Sequence, residues 1–251
     1  YPIYASAFYA LSVLPEDFHE WEYLANSRTP EAYNKIVKGN ADIIFVAQPS
    51  GGQKKRAEES GVTLIYTPFA REAFVFIVNV DNPVNSLTEQ QVRDIFSGAI
   101  TNWRTVGGND QEIQTWQRPE DSGSQTVMQS QVMKNVRMIS PQETEVASMM
   151  EGMIKVVAEY RNTNNAIGYT FRYYATQMNA DKNIKLLAIN GIAPTAENIR
   201  NGKYPYIVDA FMVTRENMTS ETQKLVEWFL TPQGQSLVED VGYVPMYKTL
   251  H

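Results

Sequence analysis

Short apolar segments of strand length alternate along this chain with segments that begin on helix-capping residues. The clearest apolar segments are residues 41–47 (ADIIFVA), 73–79 (AFVFIVN) and 166–170 (AIGYT). Capping signals occur before and between them, such as Thr29-Pro30 ahead of the first segment and the pair Thr88 and Gln91 after the second. Because strands that alternate with helices pack in layers, the pattern predicts an α/β fold. The longest apolar run, around residues 73–80, is of strand length and too short for a membrane helix.

Turn and capping residues predict where the individual elements begin and end. Strands are predicted over 41–47, 63–67, 73–79, 112–116, 166–170, 184–189 and 204–213. The first of these is predicted to be a buried parallel strand, and the strand over 204–213 is predicted to be the last in the chain. Helices are predicted over 2–13, from an N-cap at Thr29 to Gly39, from Thr88 to Gly98, from Ser122 and Ser140, from Thr195 to Gly202, and from Ser220 and Thr231. Residues 48–52 are predicted to turn from a strand into a helix.

Two proline-containing breaks, near residues 81–83 and 204–205, divide the chain into two predicted lobes. The first lobe would contain residues 1–80 and 205–251, and the second would contain residues 81–204. Two crossings between lobes predict a hinged cleft. In open α/β sheets, ligands bind beyond the carboxyl ends of strands, where helices begin. Thr29, the loop at Gln48 and residues 122–125 are therefore the candidate ligand-binding positions.

Composition excludes several classes of function. The formal net charge of −6 over 251 residues argues against a nucleic-acid partner. The sequence has no cysteine, which excludes disulfides and thiolate metal sites. Its two histidines are His19 and His251, and the segment around His19 lacks the second histidine of a zinc-protease helix. We therefore expect no metal, no cofactor and no catalytic activity.

The segment 117–126 (QRPEDSGSQT) carries the strongest chemical signal. Ser122 and Gln125 fit a capping box at the start of a helix, and Gly123 allows a ligand close to the main chain. Arg118 lies four residues before Ser122. Free helix N–H groups, flanking hydroxyls and a guanidinium together predict a seat for a small oxyanion.

The same residues also allow simpler interpretations. Arg118 could be a surface arginine paired with Glu120 or Asp121, and Ser122 and Ser124 could only cap the helix. Thr29 before a proline is an ordinary helix start. The residues alone leave these alternatives open.

Several ordered segments resemble the PstS-type phosphate-binding proteins, which are solute-binding proteins of bacterial ABC importers. The segments are 41–47, 73–79, 94–103 (DIFSGAITNW), 118–124, 166–169 and 242–245 (GYVP), and together they span essentially the whole chain. The resemblance implies a two-lobed type II periplasmic-binding-protein fold. It also implies an extracytoplasmic monomer that hands phosphate to a membrane permease, often with a lipid anchor on a cysteine that this sequence does not contain.

The resemblance also assigns ligand-binding roles to particular residues. Arg118 would pair with the bound phosphate, and Ser122, Gly123 and Ser124 would donate hydrogen bonds to it. Glu120 or Asp121 would be the acidic residue between them, and Thr29 would donate from a helix start. Members of the family place a strand and a phosphate-contacting loop before the position of Pro2, so the first strand is expected to be missing here.

A second departure from the family concerns the strand at 41–47. The better-studied members follow it with an aspartate that accepts the proton of bound hydrogen phosphate, whereas this chain has Ala47 and Gln48. An amide both donates and accepts hydrogen bonds, so discrimination of phosphate from sulfate is not specified by this position. These departures leave open a non-transport sensory or interaction module with another ligand or a protein partner and, more remotely, a phosphoester hydrolase.

Overall fold

The computed structural model of the protein describes residues 27–134, 136–141, 153–155, 157, 165–178 and 180–250. The chain divides into two compact units, one comprising the chain up to Arg71 and from Asp209 onward, and the other comprising Glu72–Val208. Helices and strands alternate as predicted, which confirms the α/β class. The predicted helix over 2–13, the missing first strand and most of the helix predicted from Ser140 lie outside the described residues.

The described elements are as follows in chain order. The strands are β1 Ile43–Val46, β2 Leu64–Asn79, β3 Ser86–Leu87, β4 Gln114–Thr115, β5 Ala166–Phe171, β6 Ile184–Leu186, β7 Ala188–Ile189, β8 Ile207–Arg215 and β9 Val244–Pro245. The α-helices are α1 Thr29–Lys38, α2 Gly51–Glu59, α3 Glu89–Ser97, α4 Gly123–Val127, α5 Ala196–Arg200, α6 Ser220–Leu230 and α7 Pro232–Asp240. A 3₁₀ turn covers Trp103–Val106, and π-helical segments cover Met128–Met133 and Tyr174–Met178.

The first unit is built on a sheet in which β8 lies between β1 and β2. β1 pairs antiparallel with β8, with Ile43 opposite Thr214, so the parallel pairing predicted for this strand is wrong for its described neighbour. The apolar pattern predicted a buried strand, but it could not identify the strand that pairs with it, because that strand lies far away in the chain. Behind the sheet, Phe45, Phe69 and Phe229 pack edge to face with ring centroids 5.4–5.7 Å apart.

A buried amide joins three parts of the first unit. Gln235 in α7 is fully buried, and its Nε2 donates to the carbonyl oxygens of Phe69 and Phe229 at 2.9 and 2.8 Å. Its Oε1 accepts hydrogen bonds from the main-chain N–H groups of Met246 and Tyr247 at 2.8 and 2.9 Å. All four bonds available to the amide are made, so its burial is fully compensated.

β2 is a single strand of 16 residues that begins in the first unit and ends in the second. The sequence analysis divided it into strands at 63–67 and 73–79, and that division is wrong. Glu72 interrupts the apolar pattern, but its buried carboxylate accepts hydrogen bonds from the N–H groups of Ala73 and Tyr173 at 2.7 and 2.8 Å. Strand β9 pairs with β2 at Ala70 and Arg71, so β8 is not the last strand.

In the second unit, the other half of β2 pairs with strands β5 and β6. β5 pairs antiparallel with β2, and the short β4 lies parallel to β5 with Thr115 opposite Ile167. The strand predicted over 112–116 is present but shorter, as β4. The strand predicted over 184–189 is divided into β6 and β7. The capping box predicted at the start of α3 is confirmed. The Gln91 N–H donates to Thr88 Oγ1 at 3.1 Å, and the Thr88 N–H donates to Gln91 Oε1 at 2.8 Å.

Candidate functional site

The candidate oxyanion seat begins where β4 ends. The Trp116 N–H donates to the Ile167 carbonyl at 2.9 Å, and beyond this bond the chain leaves the carboxyl edge of the parallel β4–β5 pair. A tight turn follows, in which the Ser122 N–H donates to the Pro119 carbonyl at 3.2 Å. Asp121 has φ 64°, the left-handed conformation that the third residue of a type II turn requires. The turn therefore connects a strand end to a helix start, as in other α/β ligand sites.

Ser122 is the N-cap of α4, as predicted. Its Oγ accepts a hydrogen bond from the Gln125 N–H at 3.3 Å, and its carbonyl accepts one from the Thr126 N–H at 2.9 Å. The second half of the predicted capping box is wrong, because the Ser122 N–H is already engaged in the turn. The Gln125 side chain instead accepts a hydrogen bond from the Arg118 N–H at 3.3 Å.

The first turn of α4 presents donors with no acceptor in the described part of the chain. These donors are the N–H groups of Gly123 and Ser124, which precede the intrahelical hydrogen-bond ladder. Ser124 is 2% exposed, and its hydroxyl has no hydrogen-bond partner among the described residues. A buried hydroxyl without a partner is costly, so its retention here favours a function in ligand binding.

Two sources of positive charge belong to this strand-turn-helix connection. The N-terminus of a helix carries a partial positive charge, and α4 continues directly into the π-helical segment Met128–Met133. Arg118 is 8% exposed, so its guanidinium lies where a charge-assisted hydrogen bond is stronger than in water. The arrangement suits a small anion that accepts several hydrogen bonds.

The two acidic candidates lie on the connecting turn. Glu120 is exposed, and Asp121 is half-buried. Both lie between Arg118 and the helix start in the sequence. A carboxylate near a bound anion is favourable only where the anion supplies a proton to share.

Thr29 and Gln48 belong to the first unit. Thr29 is half-buried and is the first residue of α1, whereas Arg28 occupies the N-cap position, so the predicted N-cap assignment is wrong. Glu31 accounts for the difference, because its carboxylate accepts hydrogen bonds from the main chain and guanidinium of Arg28 at 3.1–3.4 Å. Gln48 is half-buried in the loop between β1 and α2, which confirms the predicted turn.

The candidates therefore fall into two groups. The second unit brings Arg118, Glu120, Ser122, Gly123 and Ser124 together within one strand-turn-helix connection. Thr29 and Gln48 lie at a helix start and at a strand end of the first unit. That both groups contact one ligand remains a prediction.

One supporting residue, Tyr169, escaped the sequence analysis as part of the site. The hydroxyl of Tyr169 in β5 accepts a hydrogen bond from the Arg118 N–H at 3.0 Å and donates its own to Oε1 of Gln125. Burial raises the pKa of Tyr169 well above its ordinary value, so the hydroxyl remains a donor. The segment Ile167-Gly168-Tyr169 entered the sequence analysis as part of a predicted strand and of the resemblance, without a role in the site. The signal available was a tyrosine in an otherwise apolar buried strand, whose hydroxyl needs a partner.

Among the described residues, no group of three acidic or histidine side chains is placed to hold a metal ion. None of the helices in that part of the chain has the length and apolar character of a membrane span.

Comparison with known proteins places the chain in a family. A family model described as the PBP superfamily domain matches residues 20–233. The phosphate-binding protein PstS of Bacillus subtilis (strain 168) is 27% identical over 209 residues, which cover 83% of this chain and 64% of that protein. The protein of the same name from Borreliella burgdorferi is 26% identical over 218 residues, covering 84% of this chain and 74% of its own length.

Solved structures share the fold. An ABC-type phosphate transport receptor from Vibrio cholerae matches with a TM-score of 0.64 at 24% identity, covering 86% of this chain and 84% of that one. A DING protein matches with a TM-score of 0.70 at 12% identity, covering 98% of this chain and 89% of that one. These matches confirm the predicted type II periplasmic-binding-protein fold. The chain belongs to the PBP superfamily domain family.

Proposed function

We propose that this chain is an extracytoplasmic solute-binding protein that captures phosphate, or a similar tetrahedral oxyanion, for an ABC importer. The observation that carries the proposal is the buried Ser124 hydroxyl with no partner among the described residues, beside the amides of Gly123 and Ser124. Arg118 lies in the same strand-turn-helix connection. Amide and hydroxyl donors together with a guanidinium match the acceptor-rich surface of an oxyanion.

The overall charge is compatible with this function. A net charge of −6 repels anions at long range, so capture has to rely on local donors. A helix start and a buried guanidinium supply such donors over a few ångströms, a distance at which salt screens them little. Relatives that are named phosphate-binding proteins support the same assignment, although the first of them is matched over 64% of its length.

The remaining candidates complete the proposed seat. Thr29 and Gln48 would donate or accept from the first lobe, and Ser122 and Gly123 from the second. Glu120 or Asp121 would accept a hydrogen bond from the proton of hydrogen phosphate, because this chain has Ala47 or Gln48 where the better-studied members have an aspartate. We further propose that the protein acts as a monomer without cofactor or catalytic activity, outside the cytoplasm, with a membrane permease as its protein partner.

Calorimetric titration with phosphate, sulfate, molybdate and tungstate tests the proposal. We expect phosphate to bind the wild type and Arg118→Ala to weaken binding at least roughly thirtyfold, because a charge pair in a partly dehydrated site is lost. Arg104→Ala is the matched control: it removes the same charge from an exposed surface pair with Asp110 in the same unit, and we expect no change in affinity.

Two results would contradict the proposal. The first is the absence of binding heat with all four anions, which would favour a sensory or interaction module with another ligand. The second is unchanged phosphate affinity in Arg118→Ala, which would place the anion elsewhere.

A further inference from the structure

The main chain at Arg118 is held by side chains in place of strand pairing. The parallel ladder between β4 and β5 ends with the bond from the Trp116 N–H to the Ile167 carbonyl. Two residues further on, the Arg118 N–H donates to the Tyr169 hydroxyl at 3.0 Å and to Gln125 Oε1 at 3.3 Å. Tyr169 lies in β5, two residues after Ile167, so a side chain continues the connection that the two backbones no longer make.

The three groups form a closed triangle. The Tyr169 hydroxyl contacts both the Arg118 N–H and Gln125 Oε1, and Gln125 lies in the first turn of α4. All three residues are buried, with exposures of 8% for Arg118, 5% for Gln125 and 0% for Tyr169. The triangle therefore joins the end of β4, the middle of β5 and the helix start that carries Ser124.

The direction of each hydrogen bond is fixed by chemistry. The Arg118 N–H can only donate, so the Tyr169 oxygen accepts from it and the Tyr169 proton goes to Gln125. Gln125 Oε1 faces these two donors, while its Nε2 faces the sulfur of Met138 at 3.8 Å. Rotation of the Gln125 amide would place its N–H groups against the Arg118 N–H, which cannot accept a hydrogen bond, so a single orientation of the amide satisfies the network.

We propose that Tyr169 and Gln125 are positioning residues that hold the Arg118 main chain in register with the start of α4, and thereby set the affinity of the oxyanion seat. This inference rests on the proposed function. Neither residue needs to touch the anion. Their effect is to keep the guanidinium and the Ser124 donors at a fixed separation before the ligand arrives, which lowers the entropy lost on binding.

Tyr169→Phe tests the inference, because it removes one hydroxyl from a fully buried ring. Tyr204→Phe is the matched control: Tyr204 is 1% exposed in the same unit, and its hydroxyl donates to the Phe74 carbonyl at 3.1 Å. We expect both variants to lower the thermal midpoint by similar amounts. Tyr169→Phe should weaken phosphate binding roughly tenfold, whereas Tyr204→Phe should stay within about twofold of the wild type.

Amide hydrogen exchange gives a second readout that does not depend on any ligand. We expect the Arg118 amide to be protected in the ligand-free wild type and in Tyr204→Phe, and to exchange at least roughly tenfold faster in Tyr169→Phe. If the wild type failed to bind phosphate, the proposed function would fail, and this measurement would still decide whether the triangle fixes Arg118. Equal affinity in all three proteins, or unchanged protection of Arg118 in Tyr169→Phe, would overturn the inference.

Gln125 provides a second variant if Tyr169→Phe does not fold. Gln125→Met removes the acceptor from both donors while keeping an unbranched side chain, and it should produce the same loss of affinity and of Arg118 protection. Gln125 also lines a surface pocket of about 310 Å³ with Gln117, Lys134 and Arg137. Its replacement changes that pocket and the triangle together, which is why Tyr169 is the first choice.

Discussion

Ser124→Ala is expected to weaken oxyanion binding without destabilising the protein. In the ligand-free protein the Ser124 hydroxyl is buried and has no partner in the described part of the chain. Burying an unsatisfied hydroxyl costs about 1–3 kcal/mol, and alanine removes that cost together with a small loss of packing. Alanine is also the better helix former. The free energy of unfolding should therefore stay level or rise by about 1 kcal/mol.

Binding of the oxyanion should weaken in the same variant. A hydroxyl that donates to a charged acceptor contributes about 1.5–3 kcal/mol, which corresponds to a Kd roughly 10- to 150-fold higher without it. Urea unfolding of the ligand-free protein measures the first effect, and calorimetric titration with phosphate measures the second.

Ser122→Ala is the matched control, two residues away in the same turn. Its hydroxyl accepts a hydrogen bond from the Gln125 N–H, so its removal should destabilise the protein by about 1 kcal/mol. The reasoning would be refuted if Ser124→Ala were destabilised as much as Ser122→Ala, because the Ser124 hydroxyl would then be engaged. A phosphate affinity within twofold of the wild type would refute the binding half.

Two further predictions concern buried positions outside the seat. Burial raises the pKa of Glu72 from 4.5 to about 7 despite its main-chain bonds and neighbouring Arg172, so the folded state binds this proton more tightly than the unfolded chain. The resulting stabilisation is complete below about pH 4.5 and disappears as the pH rises through about 7. Across this range the urea midpoint should therefore fall less steeply with pH in Glu72→Gln than in the wild type. An equal dependence on pH in the two proteins would contradict the raised pKa of Glu72. A Cβ on Gly234 would lie 2.3 Å from the Trp228 carbonyl oxygen and 2.6 Å from Phe229 Cα, so Gly234→Ala should lose about 1–3 kcal/mol of stability in urea unfolding. Gly51→Ala, where nothing lies within 4 Å, should be neutral or stabilising, and equal losses in the two variants would disprove the steric argument.

Local signals in the sequence predicted most helix starts. Thr88 with Gln91, Thr195 and Thr231 each cap a helix through bonds to residues three positions away, and a short window of sequence contains such pairs completely. Gly39 and Gly98 end helices with φ of 76° and 82°, which few other residues adopt.

Long-range pairing explains what the sequence could not predict. The partner of β1 is β8, and Glu72 is compensated by the N–H of Tyr173, 101 residues away. A polar residue inside an apolar run is normally a break, and Glu72 lies in the gap between the two strands that were predicted in place of β2. For the same reason the sequence indicated Arg118 and the start of α4 but not Tyr169, which lies 51 residues from Arg118.

The Gln235 amide has a consequence for the order in which the protein is synthesised and folds. Its bond to Phe69 spans 166 residues, and its acceptor oxygen bonds the N–H groups of Met246 and Tyr247, which follow it in the chain. The second unit is one continuous stretch, so a ribosome releases it whole before the first unit has all its parts. Phe69 must therefore remain without its final hydrogen-bond partner until Gln235, 166 residues later, has been synthesised.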